Sequence, residues 1–362
     1  MNSIEKKYFF DKEKFLELKT QYIKGLLAID RIKIREKIKE PLKEDILDFT
    51  KIKKDEYAKL FEIGLENLKN KKVGVVIVNG GMATRFGSKV KGIVKVFDDY
   101  SFLELKIRHI KYISKIYSTQ IPIFIMNSFA TSEKTIKHLE KNKYFGYEKE
   151  LIKCFNQNIF RRLNIDGTEY KGKISDRYYG PGHGDFFYTF KTSGMLNYFK
   201  NNEGKILLYS NVDNLGATIE PAIIGYHIKN NFEMIVELAR KNKGDKGGAP
   251  ALVNGKLQIV EDFKFPDTFN QNRIKIFNTA NYVLSTKIFD YDINLPWYVV
   301  YKKVNNRTVV QFEHLMGDLT MFINKCGYII IDRKKRFIPI KVFEDLEKNR
   351  RYLKKLLGKI IC

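Results

Sequence analysis

The stretch VNGGMATRFGSKVKGIVKV, residues 78–96, decides how the chain is read. It follows Val73-Gly74-Val75-Val76-Ile77, whose density of β-branched residues is that of a strand buried on both faces. It precedes Phe102–Tyr117, where apolar residues recur at helical spacing. The glycines therefore stand where a buried parallel strand ends, the place at which open α/β sheets bind ligands. Gly80, Gly81 and Gly87 let the backbone approach a ligand closely, and Arg85 and Lys91 add mobile cations, an arrangement suited to phosphates. The spacing fits neither the Walker A loop nor G-x-G-x-x-G. A tight strand-to-helix turn would account for the glycines equally well.

Working outward, the same alternation recurs. Further strands are predicted at 121–126, 205–210 and 232–238, and helices near 102–117, 131–141, 186–200 and 219–229. This rhythm implies an α/β fold with a mostly parallel sheet. Asn254-Gly255 and Asn305-Asn306, each between apolar runs, predict antiparallel hairpins. Residues 1–70, rich in Lys, Glu and Leu with Phe15, Leu16, Leu18, Leu26 and Leu27, read as two or three packed N-terminal helices. The expected division is a helical segment over 1–70, a catalytic body over 71–342 and a last helix over 343–362.

Composition narrows the class. With 362 residues, 44% apolar and 14% aromatic, the chain can bury a sizeable core. Its 66 Lys and Arg against 42 Asp and Glu leave a formal charge of +24. That excess suits either a lysine-rich solvated surface or a polyanionic ligand. The cations are scattered, and the densest run, Arg333-Lys334-Lys335-Arg336, lacks interleaved aromatics, so nucleic acid is not expected. Cys154, Cys326 and Cys362 form no C-x-x-C pair, which argues against a disulfide framework or a zinc site. No apolar run approaches membrane-spanning length, and the N-terminus lacks the pattern of a signal peptide. A cytoplasmic protein without membrane contact is expected.

Two other loops carry chemistry. Gly180-Pro181-Gly182-His183-Gly184-Asp185 sets a histidine among glycines, with Asp185 placed either against a ligand or as the N-cap of the next helix. Ser210-Asn211-Val212-Asp213-Asn214-Leu215-Gly216-Ala217 follows an apolar run; Asp213 could hold Mg²⁺ at the strand's carboxyl end, or the loop could be an ordinary Asp/Asn turn. Lys246-Gly247-Gly248, Phe277-Asn278-Thr279-Ala280-Asn281 and Arg336-Phe337-Ile338-Pro339-Ile340-Lys341 complete the series. By composition alone Lys341 would be a surface lysine.

In this order the six motifs resemble the UDP-glucose pyrophosphorylase family, across residues 73–341. The resemblance implies a Rossmann-like nucleotidyltransferase sheet of the glycosyltransferase-A type, with Mg²⁺ as cofactor and UTP and glucose 1-phosphate as substrates. It implies that Gly80 and Gly81 lie by the phosphates and uracil, and that Lys91, Lys341 and Arg85 are the catalytic cations. It further implies Gly182 against the base, His183 at the sugar 1-phosphate, Asn211 at ribose or sugar, and Asp213 on the metal. Glu237, Gly248 and Asn278 would line the hexose pocket. The family's usual glycine before Thr-Arg is Ala83 here, its proline before the loop lysine is Val90, and the first asparagine after F-N-T is Ala280. Eukaryotic members of the family continue into a C-terminal β-helix used in oligomerisation, whereas about twenty residues follow Lys341. The expectation is a monomer or small homo-oligomer. The alternatives are the same chemistry on galactose or N-acetylhexosamine 1-phosphate, or an inactive regulatory relative.

Overall fold

The computed structural model describes residues 3–361 apart from 84–88, 98, 246 and 341. Among them an eight-stranded sheet forms the centre. Its strands are β1 (Leu47–Asp48), β2 (Val73–Val78), β3 (Ile123–Asn127), β4 (Ile152–Asn156), β5 (Ile206–Asn211), β6 (Met234–Arg240), β7 (Ile276–Ser285) and β8 (Cys326–Ile330). Their order across the sheet is β1-β8-β6-β7-β5-β2-β3-β4. Every pairing is parallel except the two made by β7, which runs antiparallel between β6 and β5. The mostly parallel α/β sheet is thus as read from the sequence; the central antiparallel strand is not legible there.

Strand β2 shows why both faces had to be apolar. Val73, Val75 and Ile77 point into one core with Phe102, Leu105 and Ile110 of helix Phe102–Tyr117. Val76 points into the other, with Phe124 and the rings of Phe186 and Phe190. The helix starts where Ser101 Oγ accepts from the Glu104 N–H at 3.2 Å, an N-cap that satisfies one of its free donors. Strands β2 and β5 run in register, Val78 beside Asn211, so the loops after both emerge side by side.

Several expectations change in detail. The helix predicted over 186–200 is two, Phe186–Thr192 and Met195–Asn201, broken at Gly194 with φ +79°. Both hairpins form as read, with Asn254 and Gly255 at φ +49° and +83°, and Asn305 and Asn306 at +47° and +62°. Residues 3–70 hold helices, Lys12–Ile23 and Lys54–Lys69 chief among them, and also add β1 to the sheet edge. On the first of these Phe15 and Leu18 are buried while Leu16 is exposed. The second crosses helix Pro221–Lys229 with backbones in contact, since a Cβ on Gly64 would overlap the Pro221 carbonyl and one on Gly225 the Leu60 carbonyl. Among the described residues no helix is long and apolar enough to cross a membrane.

Strand β7 carries a bulge. Val236 pairs with Tyr282 and Leu238 with Asn278, so residues 279–281 stand opposite Glu237 alone. At its centre Ala280 has φ +56°, the left-handed region that disfavours a Cβ. Its N–H donates to Asn278 Oδ1 at 2.9 Å. Ala280→Gly removes a left-handed penalty of about 1–2 kcal/mol and adds back about 0.5–1 kcal/mol of chain entropy. We expect the variant to unfold at higher denaturant concentration with an unchanged m-value; a lower midpoint would contradict the strain.

Candidate active site

At the carboxyl ends of β2 and β5 the two loops close on one another. Asn79 is buried, and its amide donates to Asn127 Oδ1 and Thr135 Oγ1 at 2.8 and 2.9 Å, anchoring the glycine loop to β3 and to helix Ser132–Lys141. The loop returns beside itself, with the Lys91 N–H donating to the Gly81 carbonyl at 3.3 Å. From there the Lys91 ammonium forms an ion pair with the Asp213 carboxylate. A glycine-loop lysine and a strand-end carboxylate, 122 positions apart, thus neutralise each other.

The opposite wall is the histidine loop. Its backbone lies flat on residues 313–316: the His314 N–H donates to the Pro181 carbonyl and the Gly184 N–H to the His314 carbonyl, at 3.0 and 2.9 Å. Gly182 has φ +87°, and a Cβ there would stand 2.6 Å from the His314 carbonyl oxygen, so no larger residue fits. The Met316 N–H donates to His183 Nδ1 at 3.1 Å, which leaves Nε2 as the protonated nitrogen. Desolvation, reinforced by His314, lowers the His183 pKa to about 4, so the ring is a neutral donor. Asp185 stands at the start of helix Phe186–Thr192 without capping it through its side chain. Its carboxylate instead accepts from the backbone and side chain of Asn158 at 2.7 and 2.9 Å.

Between the walls lies a cleft of about 320 Å³. It brings together Gly80, Gly81, Lys91, Gly182, His183, Asn211 and Asp213 of the residues read from the sequence. It adds Gln157 and Glu313, which no motif signalled. Gln157 follows β4, donates to the Gly182 carbonyl at 2.7 Å, and leaves no room for a Cβ on Gly80 or Gly180. Arg85 and Lys341 lie outside the described residues. The chain just before Lys341 is held to the cleft, the Ile340 N–H donating to the Asp213 carbonyl at 3.1 Å.

Two of the three hexose-pocket candidates touch directly. Gly248 and Asn278 adjoin, the Asn278 N–H donating to the Gly248 carbonyl at 2.8 Å. Glu237 stands opposite the bulge that follows Asn278. It is 3% exposed, and Arg336 grips both its oxygens, Nε at 3.0 Å and Nη2 at 2.6 Å. The carboxylate that does face the Gly248 loop is Glu261: a Cβ on Gly248 would lie 2.8 Å from its Oε1, and one on Gly317 would lie 3.5 Å from it. Burial raises the Glu261 pKa to about 7, with Asp318 and Asp262 adding to the shift. Glu261 sits one residue after a hairpin strand with no motif around it, so only the folded chain reveals it.

Among the described residues no three His, Cys, Asp or Glu side chains converge as a metal set. The Asp213 carboxylate in a glycine-lined cleft suits a hard cation such as Mg²⁺, which keeps waters and takes substrate phosphates as its other ligands. It does not suit zinc, which asks for three or four protein ligands.

The family model described as UTP–glucose-1-phosphate uridylyltransferase matches residues 12–354. The chain is 31% identical over 293 residues to "UTP--glucose-1-phosphate uridylyltransferase 2" of Dictyostelium discoideum, covering 76% of this chain and 57% of that protein. It is 31% identical over 336 residues to the Saccharomyces cerevisiae UTP–glucose-1-phosphate uridylyltransferase, covering 86% of this chain and 64% of the relative. The chain therefore spans about three-fifths of the length of the relatives it matches. Among solved structures, a uridine diphosphate N-acetylglucosamine pyrophosphorylase from Trypanosoma brucei superposes with a TM-score of 0.79 at 17% identity, over 98% of this chain and 80% of that one. A UDP-glucose phosphorylase from the same organism gives 0.75 at 22%, over 92% and 73%. At these identities the likeness shows the nucleotidyltransferase fold.

The Glu261 environment yields a pH test. A carboxyl whose pKa is raised in the folded state stabilises the fold below its ordinary value of 4.5, and that contribution is lost as pH rises through about 7. Glu261→Gln should therefore gain melting temperature on the parent progressively between these pH values; a constant difference across the range would show that Glu261 is solvated.

Proposed function

Because the chain belongs to the UTP–glucose-1-phosphate uridylyltransferase family, we propose that it joins UTP and glucose 1-phosphate to give UDP-glucose and pyrophosphate. The observation that carries this reading is the convergence in one cleft of Gly80, Gly81, Lys91, His183, Asn211 and Asp213. A sugar-phosphate oxygen attacks the α-phosphorus of UTP in line. The new P–O bond forms as the bond to the bridging oxygen breaks, and pyrophosphate leaves with that electron pair.

The chemistry is one of positioning and charge. Two unit charges about 4 Å apart repel by about 4 kcal/mol at an effective dielectric near 20, and both substrates are polyanions. Lys91 releases Asp213 and turns to the nucleotide phosphates, joined by Lys341 and Arg85. Gly80 and Gly81 present backbone to the phosphates and uracil, and Gly182 lies under the base. Neutral His183 donates from Nε2 to the sugar phosphate without adding a titrating charge near neutral pH. Asn211 reaches ribose or sugar hydroxyls. Asp213 would hold Mg²⁺, which when bound supplies charge neutralisation on the phosphates. Gly248, Asn278 and Glu237, joined by Glu261, take the hexose, whose hydroxyls need acceptors as well as donors. Residues 71–342 make up this catalytic body.

Pyrophosphate should appear from UTP and glucose 1-phosphate only with Mg²⁺ or Mn²⁺, measured with a panel of nucleotides and sugar 1-phosphates. Faster turnover with ATP or GTP than with UTP would remove the uridylyl assignment, and faster turnover with another sugar would move the substrate.

Asp213→Ala and Lys341→Ala should each lower kcat on the order of a hundredfold, with a smaller effect on nucleotide binding. Lys348→Ala serves as the control on the last helix. Parent-like kinetics in Asp213→Ala would make that loop an ordinary turn; the same in Lys341→Ala would remove the second cation.

A further inference from the structure

Beneath the cleft, on the side away from solvent, helix Phe102–Tyr117 sends one lysine into the core. Lys106 is 5% exposed. Its ammonium donates to Ser210 Oγ at 3.0 Å and to the Ala217 carbonyl at 3.1 Å. Both partners are neutral oxygens, and they bracket the segment 211–216 that carries Asn211 and Asp213. A small cavity of about 30 Å³ lies alongside, lined by Lys106, His109, Ser210, Glu237, Asn281 and Arg336.

Such a cation is costly. Removing an ammonium from water is worth several kcal/mol against folding, and a methionine would fill the same volume without that cost. Burial drives the Lys106 pKa down to about 7, opposed by Asp213, reinforced by Arg336 and opposed again by Glu237. His109 adds no countercharge: burial lowers its pKa to about 3, and its Nε2 accepts from the Ile219 N–H at 3.3 Å. Packing alone gives no reason for a charge here, whereas loop geometry does. One group bonded to both ends of a loop sets the loop's width.

The far side of the same loop is set by Arg336. Its guanidinium pairs with Glu237 and also donates to the Thr218 carbonyl at 3.2 Å. Its carbonyl accepts from the Asn214 amide at 3.1 Å. The Asp213 loop is thus held between a lysine below and the segment leading to Lys341.

We propose that Lys106 is a positioning residue for the uridylyl transfer: by clasping Ser210 and Ala217 it holds the Asp213 carboxylate where the nucleotide-bound metal needs it. This rests on the reading of Asp213 given above. Lys106 touches neither substrate, so its loss acts through the loop.

Lys106→Met and Ser210→Ala test it beside the parent, with thermal melting to establish folding. The primary readout is titration calorimetry of UTP alone and of UTP with Mn²⁺, followed by steady-state kinetics. In Lys106→Met, binding of UTP alone should stay within about threefold of the parent while the gain in affinity conferred by Mn²⁺ falls about tenfold and kcat falls ten- to a hundredfold. A merely structural lysine would move the melting temperature and leave the Mn²⁺ gain intact. Ser210→Ala, which removes one of the two clasped oxygens, should shift the Mn²⁺ gain in the same direction by about threefold; it decides the matter if Lys106→Met does not fold. An unchanged Mn²⁺ gain and kcat in folded Lys106→Met, or in Ser210→Ala where the first variant does not fold, would overturn the proposal. A parent protein that binds Mn²⁺–UTP yet forms no UDP-glucose overturns the reaction assigned above while the calorimetric comparison still tests Lys106; one that binds no UTP overturns both.

Discussion

The side-chain amide of Asn214 is the constraint on which the site depends. It is 2% exposed and makes four hydrogen bonds. Its nitrogen donates to Asn281 Oδ1 and to the Arg336 carbonyl at 3.2 and 3.1 Å. Its oxygen accepts from the Gly216 and Ile338 N–H groups at 3.2 and 2.9 Å. A buried amide left unpaired would cost about 1–3 kcal/mol per group, so this residue forces the Asp213 loop, the bulged strand β7 and the segment 336–340 into one arrangement. The Asp213 loop and a chain segment more than a hundred residues later are thereby registered to each other.

Close backbone approach is the second theme. Gly182 and Gly184 allow the histidine loop to lie directly on residues 313–316, and Gln157 fills the space that Gly80 and Gly180 leave open. The result is a cleft in which four glycines stand beside the side chains of Lys91, Gln157, His183, Asn211, Asp213 and Glu313. Across that cleft Lys91 and Asp213 satisfy each other's charge.

The bulge in β7 shows how a local irregularity separates two carboxylates. By placing three residues opposite Glu237, it turns Thr279 so that its hydroxyl donates to the Glu237 carbonyl at 2.7 Å and brings Asn281 toward the Glu237 carboxylate. Glu237 is thereby committed to Arg336 and the interior, while Glu261 is left to face Gly248. The left-handed Ala280 is the strain that accompanies this division.

What the sequence determined by itself is what depends on near neighbours along the chain. The β-branched run at 73–78, the amphipathic spacing at 102–117 and the Asn-Gly turn at 254–255 each encode their element through backbone sterics and side-chain period alone. The order of six loop motifs identified the family and seven residues of the cleft for the same reason, because each motif is a short contiguous stretch. Only the tertiary structure decided which distant groups meet. That β7 would insert antiparallel, that Gln157 would stand beneath two glycine loops, that Glu261 would face Gly248, and that Lys106 would be buried under the Asp213 loop are all settled by contacts that no single motif contains. No periodicity records such contacts, since the free energy that fixes them comes from pairing buried polar groups whose partners lie elsewhere in the chain.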